Sequence, residues 1–128
     1  MRVLDLGVPD DPDGEVLRED VNPRHYRQWK KQIIAGFEEY FGKYGLEQWH
    51  LWALCTLPEF RGRGAGTRLC KWGLERASKK GVISTVLATD PKGKKLYEKV
   101  GWDVQGVFNI RIPGEEDNMD IWPMTHAP

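Results

Sequence analysis

Arg61-Gly62-Arg63-Gly64-Ala65-Gly66-Thr67 closes an apolar, strand-like run from Leu51 to Leu57 and opens a helix-like run that reaches Lys80. A turn with alternate glycines leaves backbone N–H groups bare. Helix N-termini carry about half a positive charge, and glycine lets a ligand come close to the main chain. The stretch therefore predicts a cradle for an anion or a diphosphate. A P-loop reading fails, because no lysine precedes Thr67 to reach the outer phosphates. A dinucleotide fingerprint is a poor match as well: the glycines stand at 62, 64 and 66, not in Gly-x-Gly-x-x-Gly spacing.

Working outward, β-formers and aromatics from Gln48 through Cys55 predict a central strand ahead of the turn. The helix from Gly64 to Lys80 sets Leu69, Cys70, Gly73 and Ala77 along one face, and Lys79-Lys80-Gly81 supplies a charged, glycine-stopped end. Val82 to Ala88 reads as a second strand, Lys92 to Lys99 as a short helix, Trp102 to Ile112 as a third strand and Asn118 to Trp122 as a fourth. Pro113-Gly114-Glu115-Glu116-Asp117 is the hairpin loop between the last two. Upstream, Pro9-Asp10-Asp11-Pro12-Asp13-Gly14 has the chemistry of a loop, and Asn22 followed by Pro23 reads as an N-cap with proline at the first helical position. Tyr26, Trp29, Ile33, Phe37 and Tyr40 recur at three- and four-residue steps, so this helix buries one apolar face, and its aromatic stripe reads as packing. Gly42 and Gly45 break it.

With 128 residues, 40% of them hydrophobic, the chain falls in the range of one domain with one core. Nineteen basic residues balance 19 acidic ones, so no whole-protein field draws it to nucleic acid or to an anionic membrane. Cys55 in the apolar strand and Cys70 in the following helix read as two buried thiols, which suits a reducing, cytoplasmic setting better than a disulfide framework. No apolar run is long enough for a membrane span, and Met1 to Asp5 lacks the core of a signal peptide.

Arg61, Gly64 and Gly66 spell Arg-x-x-Gly-x-Gly, preceded by Pro58-Glu59-Phe60 and followed by Leu69 in a helix. This resembles motif A of the GNAT superfamily of acyl-CoA-dependent N-acetyltransferases. Gly93-Lys94-Lys95-Leu96-Tyr97-Glu98-Lys99-Val100-Gly101-Trp102 is similar to the family's LYEKxGF segment, with Trp102 for the usual Phe. Two motifs in this order are more specific than either alone. The resemblance covers residues 48–123 and is strongest to fungal members, in which RGRGAG, KWGLERA and LYEKxG follow in this order. It implies an α/β, GNAT-like fold: a mixed, mostly antiparallel central sheet with flanking helices. Residues 1–128 would form a single domain, with a loop-rich segment at 1–22, a helix at 23–41 and the acetyl-CoA-binding core at 48–123. The family's early strands and helices would be reduced, with Met1 to Leu6 as a strand remnant. An open sheet edge left by that reduction favours a homodimer.

The resemblance also implies roles. Backbone groups of Leu54, Cys55 and Thr56 would hydrogen-bond to the pantetheine arm and the thioester, between two splayed strands. Arg61 and the amides of Gly62, Arg63, Gly64, Ala65, Gly66 and Thr67 would hold the pyrophosphate. Asp90 stands where many relatives carry an Asn facing the cofactor. Tyr97 matches the general acid that returns a proton to the CoA thiolate. His50 is the natural candidate for the general base, against the alternative of a polar residue at a strand entrance. Glu59 reads as a solvated charge near a helix end, and His25 and His126 have no supporting context. The expected activity is direct acetyl transfer from acetyl-CoA to a primary amine in a ternary complex, without metal. The rival is a non-catalytic acyl-CoA-binding or protein-interaction module on the same cradle, and a purely structural domain ranks last. The acceptor, a small amine or a protein amine, is not identified by the sequence.

Overall fold

The computed structural model describes residues 20–128. Helix α1 (Pro23–Phe41) starts where expected: the Asn22 side chain accepts the N–H groups of Arg24 at 3.0 Å and His25 at 3.3 Å, and Pro23 fills the first turn. Its inner face buries Ile33, Gly36, Phe37 and Phe41. The Phe108 ring lies so close to Gly36 that a Cβ there would sit 2.3 Å from it, so only glycine allows this approach. The expected strand remnant at Met1 to Leu6 and the loop at Pro9 to Gly14 fall outside the described residues.

Strand β1 (Gln48–Leu51), helix α2 (Ala65–Lys80), strand β2 (Ile83–Ala88), helix α3 (Pro91–Val100) and strands β3 (Asp103–Val104), β4 (Phe108–Arg111) and β5 (Asn118–His126) follow. The sheet runs β1-β2-β5-β3, with β4 also on β5. Among the described residues only β1 and β2 are parallel, joined by the α2 crossover, and the other pairs are antiparallel. The sheet is thus mixed and mostly antiparallel, as expected of an α/β, GNAT-like fold. Side chains alternate between its faces. Val86, Ala88 and Met124 pack with Cys70, Leu74, Tyr97 and Trp102 under α2 and α3. Leu87, Ile110 and Ile121 pack with Ile33 and Trp29 under α1.

Four expectations need correction. The strand from Gln48 ends at Leu51, and among the described residues it pairs on one side only, so it is an edge, not the centre. Residues 52–57 leave β2; at their far end Arg61 Nε donates to the Thr56 carbonyl at 3.0 Å, and Pro58 has no N–H to offer a ladder. The third strand is broken between β3 and β4. Gln105 N donates to Pro123 O at 2.8 Å, so the N–H that Pro123 lacks is missing from that same side of β5, and the ladder lapses. In α2 the buried stripe is Cys70, Leu74 and Ala77, while Leu69 is 53% exposed. Of the two free thiols, Cys70 is buried but Cys55 is exposed. Among the described residues no helix is long and apolar enough to cross a membrane.

Candidate active site

The register of β1 on β2 runs from Gln48↔Ile83 to Leu51↔Val86 and stops. Strand β2 goes on pairing with β5 as far as Ala88↔Trp122, whereas residues 52–57 diverge. A cavity of about 940 Å³ opens between the parted segments, walled by residues 51–56 on one side and by residues 86, 87 and 89–93 on the other, with Gly66, Leu96 and Tyr97 completing it. Residues 53–55 make no backbone hydrogen bond among the described residues. Their N–H and C=O groups are open to an extended ligand, as an unpaired strand edge is.

The glycine-rich turn adjoins this cleft. A short 3-10 turn, Pro58–Phe60, closes with Arg61 N on Pro58 O at 3.3 Å. Gly62 has φ of 77° and Gly64, the N-cap of α2, φ of 82°, a region that L-side chains rarely adopt. A Cβ at either would meet nothing within 4 Å, so the space in front of the turn is empty. Gly66 is different: its Cβ would lie 3.2 Å from Leu96, so glycine here lets α2 and α3 close together. No side chain caps α2 and its first turn holds no acid, so the N–H groups of Ala65, Gly66 and Thr67 have no acceptor inside the helix. Arg61 lines the cavity, and Arg63 stacks its guanidinium 5.5 Å from the Phe60 ring centre. Amides without an acceptor inside the helix, a helix N-terminus and Arg61 give this end of the cleft a positive character.

Tyr97 comes from α3 and is 8% exposed, yet it lines the cavity and makes no hydrogen bond. Burial, with smaller contributions from Cys70, Asp90 and Cys55, pushes its phenol up to about 12. It stays protonated at every ordinary pH, a donor without an acceptor. Asp90 also lines the cavity, but its carboxylate is the N-cap of α3 and accepts the Gly93 N–H at 2.8 Å.

His50 stands apart from the cavity lining. Phe37 meets its ring edge-on at 5.0 Å between centroids, and Phe41 lies at 6.1 Å. Its tautomer follows from its neighbours. Gln48 Nε2 donates to the carbonyls of Gly45 and Phe41, which turns Oε1 toward Thr85. The Thr85 hydroxyl donates to that Oε1 at 2.7 Å, so its oxygen must accept from His50 Nδ1–H at 2.9 Å. Nε2 therefore carries the lone pair. Burial lowers the imidazole to about 4, and it is neutral at neutral pH.

Leu54, Cys55 and Thr56 thus share one wall, Asp90 and Tyr97 the other, and Arg61 and Gly66 join them, while Gly62, Arg63, Gly64, Ala65 and Thr67 shape the turn beyond the lining. Sequence reading missed Trp52, Lys92 and Leu96. The last two were within reach: they stand at i and i+4 on α3, and Leu96 directly precedes Tyr97.

A family model described as acetyltransferase (GNAT) family matches residues 7–102. None of the curated proteins compared matches the sequence. Among solved structures, a candidate acetyltransferase of Agrobacterium tumefaciens superposes with a TM-score of 0.55 at 14% identity, over 89% of this chain and 98% of that one. The ribosomal-protein-S18-alanine N-acetyltransferase of Escherichia coli gives 0.56 at 19% identity over 64% of this chain and 55% of its own. A mosquito arylalkylamine N-acetyltransferase like 5b gives 0.59 at 21% identity over 94% of this chain and 64% of its own. At these identities the likeness is one of fold.

Proposed function

Since the chain belongs to the acetyltransferase (GNAT) family, whose model matches residues 7–102 of 128, we propose that it is an N-acetyltransferase that moves the acetyl group of acetyl-CoA to a primary amine by direct attack in a ternary complex. One observation carries this reading: the cleft between β1 and β2 ends at a glycine turn with bare amides, so one ligand can lie along residues 53–56 and seat an anion at residues 62–67. Acetyl-CoA has that form, a pantetheine arm ending in a diphosphate.

In this reading Arg61 and the amides from Gly62 to Thr67 hold the diphosphate, Leu54 to Thr56 bind the arm through their backbone, and an open N–H there polarises the thioester carbonyl. The buried phenol of Tyr97, kept protonated, passes its proton to the departing CoA sulfur. Asp90 acts on the cofactor indirectly, by capping the helix that carries Tyr97. His50 has the right tautomer for a base, but at a pKa of about 4 and away from the cleft lining it serves the packing of β1 on α1 better than it serves the amine. The acceptor is a small amine or a protein amine, and the two free thiols favour the cytoplasm. We further propose that residues 1–128 act as one domain with a reduced N-terminal part, and that β1, unpaired on one side among the described residues, brings two copies together.

Calorimetric titration with acetyl-CoA tests the reading. Binding should be lost in Gly64→Glu, which puts a carboxylate where the diphosphate sits. It should survive in Gly64→Ala, which pays the same left-handed backbone strain but adds only a methyl to empty space. Equal affinity in wild type and Gly64→Glu would overturn it. With an amine acceptor in hand, Tyr97→Phe should lower kcat about 100-fold and leave KM for acetyl-CoA nearly unchanged, which separates an enzyme from a binding module.

A further inference from the structure

We infer that the amine acceptor carries its nitrogen on a flat, uncharged aromatic body, and that Trp52 is the specificity-determining residue that receives it. The inference rests on the N-acetyltransferase reading of the cleft. Because the cleft lies where β1 and β2 part within one sheet, its lining is drawn from both faces of that sheet. The glycine turn, α2 and α3 contribute Arg61, Gly66, Lys92, Leu96 and Tyr97, and on this face the cofactor's diphosphate is seated. Leu87 belongs to the other face, where it packs with Ile33 and Trp29 under α1. Trp52 is on that face too: its ring lies 6.5 Å from the His50 ring, which Phe37 of α1 meets edge-on at 5.0 Å. A cofactor held along the first face leaves the second for the acceptor.

The chemistry of the second face is distinct. Trp52 lines the cavity and is nevertheless 52% exposed, so a large indole stands at the mouth with ring surface to offer. Leu87 is partly buried beside the parting, and Thr89 follows it by the same alternation. The charged groups of the lining, Arg61, Asp90 and Lys92, come instead from the turn and from α3, and Asp90 is engaged as a helix cap. Among the described residues the α1 side of the lining thus presents an aromatic ring, a leucine and a hydroxyl, with no anion to meet a second ammonium. An aromatic ring stacked on the indole removes apolar surface from both partners and adds the favourable geometry of a ring pair. A diamine would bring a charge that this lining does not pair.

Trp72 provides the control. It is also 52% exposed, but it packs on Trp49 on the α2 side and does not line the cavity. Loss of aromatic surface alone, or of a contact between two copies, is therefore separable from loss of the acceptor's platform.

The test follows CoA thiol release by the full-length chain at saturating acetyl-CoA, with 2-phenylethylamine, n-butylamine, putrescine and an alanine-led peptide as acceptors. The aromatic amine should exceed each of the others at least tenfold in kcat/KM. Trp52→Ala should raise its KM about tenfold while kcat and the KM for acetyl-CoA hold, Trp52→Phe should keep most of the affinity, and Trp72→Ala should change neither constant. Preference for putrescine or the peptide, or a loss in Trp52→Ala that is equal for all four amines, would overturn the inference. Calorimetry of 2-phenylethylamine on the chain saturated with CoA gives a readout that needs no turnover: binding should weaken about tenfold in Trp52→Ala and not in Trp72→Ala. Acetyl-CoA binding with no uptake of the aromatic amine overturns this inference alone, whereas no binding of acetyl-CoA overturns the N-acetyltransferase reading with it.

Discussion

His50 is packed away from the cleft lining in a way that its local sequence does not announce. Its position two residues before Trp52 put it on a plausible strand face, but Phe37 and Phe41 from α1 enclose it, and no signal in residues 48–55 announces them. A consequence for pH follows. An imidazole held near 4 when folded and near 6.5 when unfolded binds more protons in the unfolded chain, so its contribution is fully present above pH 6.5 and is lost as pH falls toward 4. The whole difference is on the order of 3 kcal/mol. Thermal unfolding between pH 7 and pH 4.5 should fall less steeply in His50→Gln than in wild type, and the His50 ring resonance should titrate near 4. A ring titrating near 6.5 would refute the burial account. Asp90 makes the opposite point: the sequence put it at the cleft, and there it is, but its carboxylate is spent on a helix end.

At the level of elements, α3 joins fold to chemistry, because its N-cap is Asp90 and its buried residue is Tyr97. Asp90→Ala should cost about 1 kcal/mol in chemical denaturation, while Asp90→Asn, which keeps an acceptor for the Gly93 N–H, should cost much less. If both variants lost acetyl-CoA binding at unchanged stability, the carboxylate itself would be the cofactor contact. Helices α1 and α2 were legible because Asn22-Pro23 and Lys79-Lys80-Gly81 mark their ends locally, whereas the Asp90 cap of α3 was not read as one. The parting of β1 from β2 came only from the family resemblance, since residues 52–57 are as apolar as residues 48–51 and nothing in their pattern marks where pairing stops. The break between β3 and β4 was hidden for a like reason: the proline responsible is on the neighbouring strand.

For the whole molecule, the side of β1 that is unpaired among the described residues adjoins exposed aromatic surface. Trp49 meets Trp72 edge-on at 6.2 Å, and Trp72, Leu69 and Trp52 are each more than half exposed. If two copies meet there, sedimentation velocity should show a concentration-dependent shift toward twice the chain mass, and Trp72→Glu should weaken it by about 2 kcal/mol, some 30-fold. A single monomeric boundary at all concentrations would remove the dimer from the account. The motif pair made the fold legible, but exposed surface of this kind has no periodic signature.

The parted strands carry one more consequence. A slit between two otherwise continuous strands means that the sheet is unfinished in the free chain, and any ligand whose amides bond to residues 53–55 takes the place of the absent rungs. Ligand and polypeptide then melt as one cooperative unit. Under that linkage the resilience of the fold is not a fixed property of the chain but rises with the logarithm of free ligand concentration. The amide protons of residues 53–55, quick to exchange with deuterium in the empty cleft, become the local gauge of occupancy.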